Sequence, residues 1–130
     1  YHILLADDSS IARKQATDTL KRLGVDFTEV VNGREALATL EGWASSGELK
    51  RNPLAMVISD IEMPELDGYT LTRKIREDPD LNALYILLHT SLSGSFSEQM
   101  GLKVGANQLI PKWHPEELAD AVLGRIAELA

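Results

Sequence analysis

Several polar residues stand where apolar runs end. Ile3-Leu4-Leu5-Ala6 leads into Asp7-Asp8, Leu54 to Ser59 into Asp60, and Leu84 to His89 into Thr90-Ser91. Asn107 to Ile110 is followed two residues later by Lys112. Brought together, these residues offer three carboxylates, two hydroxyls and one ammonium. Packed carboxylates repel one another unless a cation or protons intervene. A hard divalent cation bound through oxygen answers that repulsion. Mg²⁺ suits it because it keeps several waters and takes only one or two carboxylates directly, which leaves room for a phosphoryl oxygen. A carboxylate can then act as nucleophile and form an aspartyl phosphate, since phosphoryl transfer asks mainly for positioning and charge neutralisation. Lys112 would hold a phosphoryl oxygen or, before transfer, the Asp60 carboxylate. Thr90 would donate its hydroxyl to the same group. Taken singly, each residue has a plain structural reading. A strand-end Asp caps a helix, a Thr suits a strand, and a loop Lys is solvated. Those readings do not account for all of them ending different strands.

The elements that must position these residues alternate. Helical spacing appears in Ile11, Ala16, Leu20 and Leu23, opened by Ser9 or Ser10 and closed by Gly24. Phe27 to Val31 reads as a second strand and Asn32-Gly33 as a turn. Ala36, Leu37, Leu40, Trp43 and Ala44 mark the next helix, followed by a loop at Ser45-Ser46-Gly47 and Asn52-Pro53. After Asp60, Met63-Pro64 opens a loop, and a helix runs through Leu71 and Ile75 to Asp78-Pro79. Phe96, Met100 and Val104 suggest a helix despite Gly101, and Pro115 begins a last one with Leu118, Val122, Ile126 and Leu129 on one face. Five strands thus alternate with five helices. Continuous apolar strands mean burial on both faces, hence an α/β fold with a five-stranded parallel sheet and helices on each side. In such sheets ligands gather at the carboxyl ends of the strands.

Composition narrows the function classes. The net charge of −7 argues against nucleic-acid binding, which needs a basic stripe. No apolar run approaches the roughly 20 residues of a membrane span. The absence of cysteine excludes disulfides and thiolate metal sites and fits a cytoplasmic location. His2 and His114 are expected to be structural. His89 is expected to be packed or solvated, with a role beside Thr90 as the alternative. The 130 residues make one domain, and the first residue, Tyr1, suggests a piece of something longer.

The chain resembles response-regulator receiver domains over nearly its full length. The Asp7-Asp8 pair, Ser59-Asp60-Ile61-Glu62-Met63-Pro64-Glu65-Leu66-Asp67-Gly68, Thr90-Ser91 and Lys112 stand in family order. Thr90 follows Asp60 by 30 positions and Lys112 follows Thr90 by 22, which is similar to the family's spacing. The Asp8 to Asp60 interval is longer, and Trp43 to Asn52 is where the extra length falls. More narrowly, Ala6-Asp7-Asp8-Ser9-Ser10 with Ala12-Arg13-Lys14-Gln15, and Leu88 to Gly94, resemble the receivers of CheV-type chemotaxis coupling proteins, which carry a CheW-like coupling domain ahead of the receiver.

The resemblance implies a flavodoxin-like (βα)5 fold with strand order 2-1-3-4-5, and Asp60 as phosphoacceptor. It implies that Asp8, Asp60 and the backbone carbonyl of Glu62 ligate Mg²⁺, with Asp7 acting through water. Thr90 becomes the switch hydroxyl, with small Ser91 leaving room beside it, Lys112 becomes the phosphoryl clamp, and Gly68 serves a tight turn. It implies as partners a CheA-like sensor histidine kinase and a chemoreceptor-coupling assembly. It also implies a domain that takes up and loses its own phosphoryl group, without a separate substrate. The chain departs from the family at three points. Pro111 precedes Lys112 instead of following it, Trp113 follows it, and Leu109 stands where many receivers carry Tyr or Phe. Trp113 is expected to pack on the final helix, or else to supply the missing ring. Leu92 and Glu62 would flank the phosphoryl site. Alternatives are a phosphate sink, a docking domain independent of phosphorylation, and a phosphatase with an aspartate nucleophile, for which Asp60-Ile61-Glu62 superficially qualifies.

Overall fold

The strands that end in the polar residues lie side by side. In the computed structural model, which describes residues 1–91 and 95–130 apart from the side chains of Ser95 and Phe96, β1 (His2–Ala6), β2 (Asp26–Val30), β3 (Leu54–Ser59), β4 (Ile86–Thr90) and β5 (Gln108–Pro111) form one sheet. All pairings are parallel and the order is β2-β1-β3-β4-β5. Every residue of β3 and β4 is buried. Their side chains alternate between two cores. Ile3, Leu5, Ile58, Leu87 and Ile110 pack with Ala16 and Leu20 of α1 (Ser10–Leu23) and with Leu118 and Val122 of α6 (Pro115–Leu129). Leu4, Ala6, Val57 and Leu88 pack with Ala36 and Leu40 of α2 (Gly33–Ser46) and Leu71 and Ile75 of α4 (Gly68–Glu77). Two dry faces are what continuous apolar strands require.

Two loop expectations are corrected. Asn32-Gly33 is a helix start, not a turn. The Asn32 side chain accepts from the Glu35 amide at 2.8 Å, and Glu35 Oε1 reaches back to the Val31 amide at 3.2 Å. Gly33 is needed because a Cβ there would stand 2.2 Å from the Leu66 carbonyl oxygen. Ser45 and Ser46 continue α2, since their hydroxyls donate to the carbonyls of Glu41 and Trp43 within the helix. Gly47, with φ 83°, then turns the chain into an extra one-turn helix, α3 (Glu48–Arg51). The described residues therefore hold six helices where five were expected, with α5 (Ser95–Val104) the remaining one. The long stretch from Trp43 to Asn52 is this helical extension. Trp43 meets the His2 ring edge-on at 5.7 Å, and His2 Nε2 bonds Thr28 Oγ1 at 2.8 Å, so His2 is structural as expected.

Arg76 at the end of α4 locks the far side of the sheet. Its guanidinium donates to the carbonyls of Gly105 at 2.8 Å, Asn82 at 2.9 Å and Leu84 at 2.6 Å, and to Asn107 Oδ1 at 2.8 Å. Asn107 Oδ1 also accepts from the Ile86 amide that opens β4. This network explains why β4 and β5 begin later than their apolar runs, at Ile86 and Gln108. Arg76→Ala strands the two partly buried carbonyls of Gly105 and Leu84, so chemical denaturation is expected to show a loss of about 2–4 kcal/mol. A loss under about 0.5 kcal/mol, typical of an exposed arginine, would refute that role.

Candidate functional site

At the carboxyl edge of the sheet, Asp7 follows β1, Asp60 follows β3, Thr90 ends β4 and Lys112 follows β5. Asp7, Asp60, Thr90 and Lys112 are buried, while Asp8 is exposed. Asp7, Asp8 and Asp60 each offer a carboxylate oxygen, and these atoms lie within 4.8 Å of one another. The Lys112 Nζ bridges Asp7 Oδ2 at 2.9 Å and Asp60 Oδ2 at 3.2 Å. The shorter contact goes to Asp7, a pairing the sequence did not suggest. The other Asp60 oxygen, Oδ1, accepts from the Ile61 amide at 2.8 Å. The Lys112 amide donates to the Thr90 carbonyl at 2.7 Å, which fixes the ends of β4 and β5 together.

Burial and the neighbouring Asp7 carboxylate push the Asp60 pKa up to about 6, against a smaller opposing pull from Lys112. Burial alone would lower the Lys112 pKa, but the Asp7 and Asp60 carboxylates outweigh it and hold the ammonium above its usual range. One ammonium thus leaves three clustered carboxylates undercompensated. The donor set is all hard oxygen, on an edge open at Asp8, which fits a divalent cation such as Mg²⁺.

The loop from Asp60 to Asp67 is shaped by its neighbours. The Gly68 amide donates to the Ile61 carbonyl at 2.8 Å, and a Cβ on Gly68 would lie 2.2 Å from the Asp60 carbonyl oxygen. Close approach of the Asp60 backbone, not a special turn conformation, is the reason for this glycine. Asp67 caps α4 by accepting from the Thr70 amide at 2.8 Å. Glu62 is exposed between buried Ile61 and Met63, so its side chain faces solvent beside the site. Ser91 is exposed just past β4, and Leu92 lies outside the described residues.

His89 is buried on the side of α1 and α6. It faces a crevice of about 10 Å³ bordered by Gln15, Thr19, Trp113 and Leu118, and its Nδ1 has no hydrogen-bond partner among the described residues. Burial, with help from Lys112, lowers its pKa to about 4, so the ring is neutral at pH 7. The packed reading of His89 holds. Leu109 packs against the core on the other face, beside Gly101 of α5. Trp113 only partly meets its expectation. Its ring borders the crevice with Leu118 of α6, yet it is 51% exposed and its φ is 70°. No peptide bond among the described residues is cis.

Sequence reasoning missed Arg13 and Glu29. Arg13 Nη1 donates to the Asp7 carbonyl at 2.8 Å, and its Nε meets Glu29 Oε1 on β2 at 3.3 Å. Arg13 stands in the stretch Ala12 to Gln15 that carries the CheV-type resemblance, one turn after the Ser9 cap of α1, but no contact was assigned to it.

Residues 3–123 match the family model for the response regulator receiver domain. The chain belongs to the response regulator receiver family. The receiver is 31% identical over 121 residues to chemotaxis protein CheV3 of Helicobacter pylori, covering 92% of this chain and 39% of that protein. It is 30% identical to CheV1 of the same organism, covering 98% of this chain and 38% of the relative. The chain thus spans about two fifths of those two relatives. Chemotaxis protein CheY1 of H. pylori is 33% identical, with 85% of this chain and 83% of CheY1 covered. Among solved structures, the receiver domain of a Syntrophus aciditrophicus signal transduction histidine kinase superposes with a TM-score of 0.77 at 30% identity, covering 98% of this chain and 90% of that one. Vibrio cholerae CheY4 gives 0.77 at 27% identity, with coverages of 95% and 96%. Among the described residues of the receiver, no helix is long and apolar enough to cross a membrane.

Proposed function

We propose that this receiver takes up a phosphoryl group on Asp60 from a phosphohistidine of a CheA-like sensor histidine kinase and acts as a switch in chemotaxis. The observation that carries the proposal is the setting of the Asp60 carboxylate, with Oδ1 on the Ile61 amide, Oδ2 on Lys112, and one oxygen within 4.8 Å of carboxylate oxygens of Asp7 and Asp8. Mg²⁺ held by Asp8, Asp60 and the Glu62 backbone carbonyl, with Asp7 reached through water, would neutralise the charge that gathers when a phosphate approaches three carboxylates. An Asp60 oxygen attacks phosphorus, the phosphorus–nitrogen bond breaks, and its electron pair returns to the imidazole. Lys112 releases Asp7 to take a phosphoryl oxygen, and the Thr90 hydroxyl donates to another. The switch lies in that exchange of partners at the ends of β4 and β5.

The domain spans residues 1–130 and turns over no separate substrate. The likeness to chemotaxis proteins CheV3 and CheV1 supports the chemotaxis role, and the likeness to sensor histidine kinase CheAY of H. pylori, 32% identical over 129 residues, supports a kinase partner; a cytoplasmic location within a chemoreceptor-coupling assembly belongs to the same proposal. Leu109, packed where an aromatic ring would move, favours a second reading in which the domain drains phosphate from a pathway without relaying it.

The test uses a small acyl phosphate and Mg²⁺. Intact mass is expected to rise by one phosphoryl group, the gain to map to Asp60, and EDTA to prevent it. Modification elsewhere, or none, would remove the proposal.

A further inference from the structure

The two acids that follow β1 are held very unequally. Asp7 is fixed on all sides. Its amide donates to the Val30 carbonyl at 3.2 Å, Oδ1 accepts from the Ser9 amide at 2.9 Å, and Oδ2 meets Lys112. The carboxylate of Asp8, exposed and in reach of the same cation, has no hydrogen bond or ion pair among the described residues. With no side-chain partner to hold it, its reach to the site depends on where its backbone is placed. The peptide plane that joins Asp7 to Asp8 is rigid, so the direction of the Asp7 carbonyl fixes where the Asp8 Cα sits, and rotation about the Asp8 N–Cα and side-chain bonds completes the aim from that point. That carbonyl is the one Arg13 holds at 2.8 Å, and Arg13, only 19% exposed, is steadied in turn by Glu29 at 3.3 Å.

We infer that Arg13 is a positioning residue that aims Asp8 into the cation site through the Asp7 carbonyl, with Glu29 keeping the guanidinium in place. The inference rests on the cation reading of the site given above. An arginine suits the task because its planar fork serves a carbonyl and a carboxylate at once, whereas a lysine is a single point charge. The guanidinium also has an opposite effect, since its positive field near the site repels a cation. Removing it would tighten cation binding if field alone mattered, and loosen it if aim matters. A charge-preserving Arg13→Lys variant separates the two.

The measurement is the Mg²⁺ dissociation constant of the unphosphorylated domain, taken from the rise of unfolding free energy with MgCl₂ concentration. A variant that is merely less stable keeps its dissociation constant, because the constant comes from the dependence on Mg²⁺ and not from the stability itself. Arg13→Lys and Arg13→Met are both expected to weaken Mg²⁺ binding about tenfold, the scale found for partners that orient metal ligands. Glu29→Gln is expected to weaken it in the same direction by about threefold, below the roughly 10–100-fold of a residue that orients a ligand directly, because Glu29 acts only through Arg13. Saturating Mg²⁺ should restore phosphorylation of Arg13→Lys to the wild-type rate. Unchanged affinity in Arg13→Lys overturns the inference, and so does tighter binding in Arg13→Met. If Arg13→Met does not fold, the Arg13→Lys and Glu29→Gln affinities decide. If the wild type shows no dependence on Mg²⁺, the cation reading itself fails and the positioning role falls with it.

Discussion

Asp60→Asn is expected to remove phosphorylation by a small acyl phosphate and, at the same time, to make the domain more stable at neutral pH without divalent cations. The two effects have one cause. The folded protein holds the Asp60 proton with a pKa of about 6, whereas the ordinary carboxyl value is 3.8. Between those values the folded chain binds more protons than the unfolded chain, so the stability contributed by this group falls as pH rises. It is complete below about pH 4, lost progressively up to about pH 6, and absent above. At pH 7.5 in EDTA the ionised carboxylate costs about 2 kcal/mol, a discounted reading of the shift at about 1.4 kcal/mol per pH unit. Asparagine recovers that amount in urea denaturation. The gain should vanish near pH 4, where the wild-type acid is protonated, and shrink when Mg²⁺ stabilises the wild type. A variant less stable than the wild type at pH 7.5, or one that still acquires the phosphoryl mass, contradicts the expectation.

Lys112→Met is expected to act in the opposite direction and more strongly. Its ammonium, 6% exposed, stands between two buried carboxylates. Removing one partner of a buried ion pair leaves charge without compensation, at a cost of about 3–5 kcal/mol. Its pKa is raised in the folded state, so the stability it contributes persists up to the usual 10.5 and is lost only as pH climbs through the higher folded value. The deficit is therefore present throughout the neutral range. Acid should relieve part of it by protonating Asp60, and Mg²⁺ should relieve another part. The phosphorylation rate should fall by about 10²–10³, the usual penalty for losing a donor that meets developing charge. In the Lys112→Met background Asp60→Asn should recover more than the about 2 kcal/mol it gains alone, because residues in direct contact are not additive. Simple addition of the two effects would show that Lys112 and Asp60 do not compensate each other in the folded protein.

The sheet and its reactive edge were legible because β1, β3 and β4 are apolar runs that lead into polar residues. Periodicity and strand ends are local properties. Part of what was not legible depended on backbone that packs against a residue from another segment. Gly33 reads as a turn residue until Leu66 is seen against it. Gly68 reads as conformational freedom until the Asp60 backbone is seen to press on it. Ser45 and Ser46 look like loop residues because nothing local says that their hydroxyls will bond within the helix. Arg13 was invisible for a different reason. Its partner is a backbone carbonyl, which every residue carries, so no pattern of residue types announces it.

The placement of the two indoles gives the domain a pair of separable optical signals. Trp43 lies edge-on against His2, at the amino end of β1 and away from the carboxylates. Trp113 follows Lys112 directly, half in solvent and beside the His89 crevice. A Trp43→Phe protein would therefore emit from a single ring next to the lysine that changes partners, and a Trp113→Phe protein from a ring that senses the helical extension. The same molecule thus supplies both a reporter for its reactive edge and an internal reference for the opposite end of the sheet.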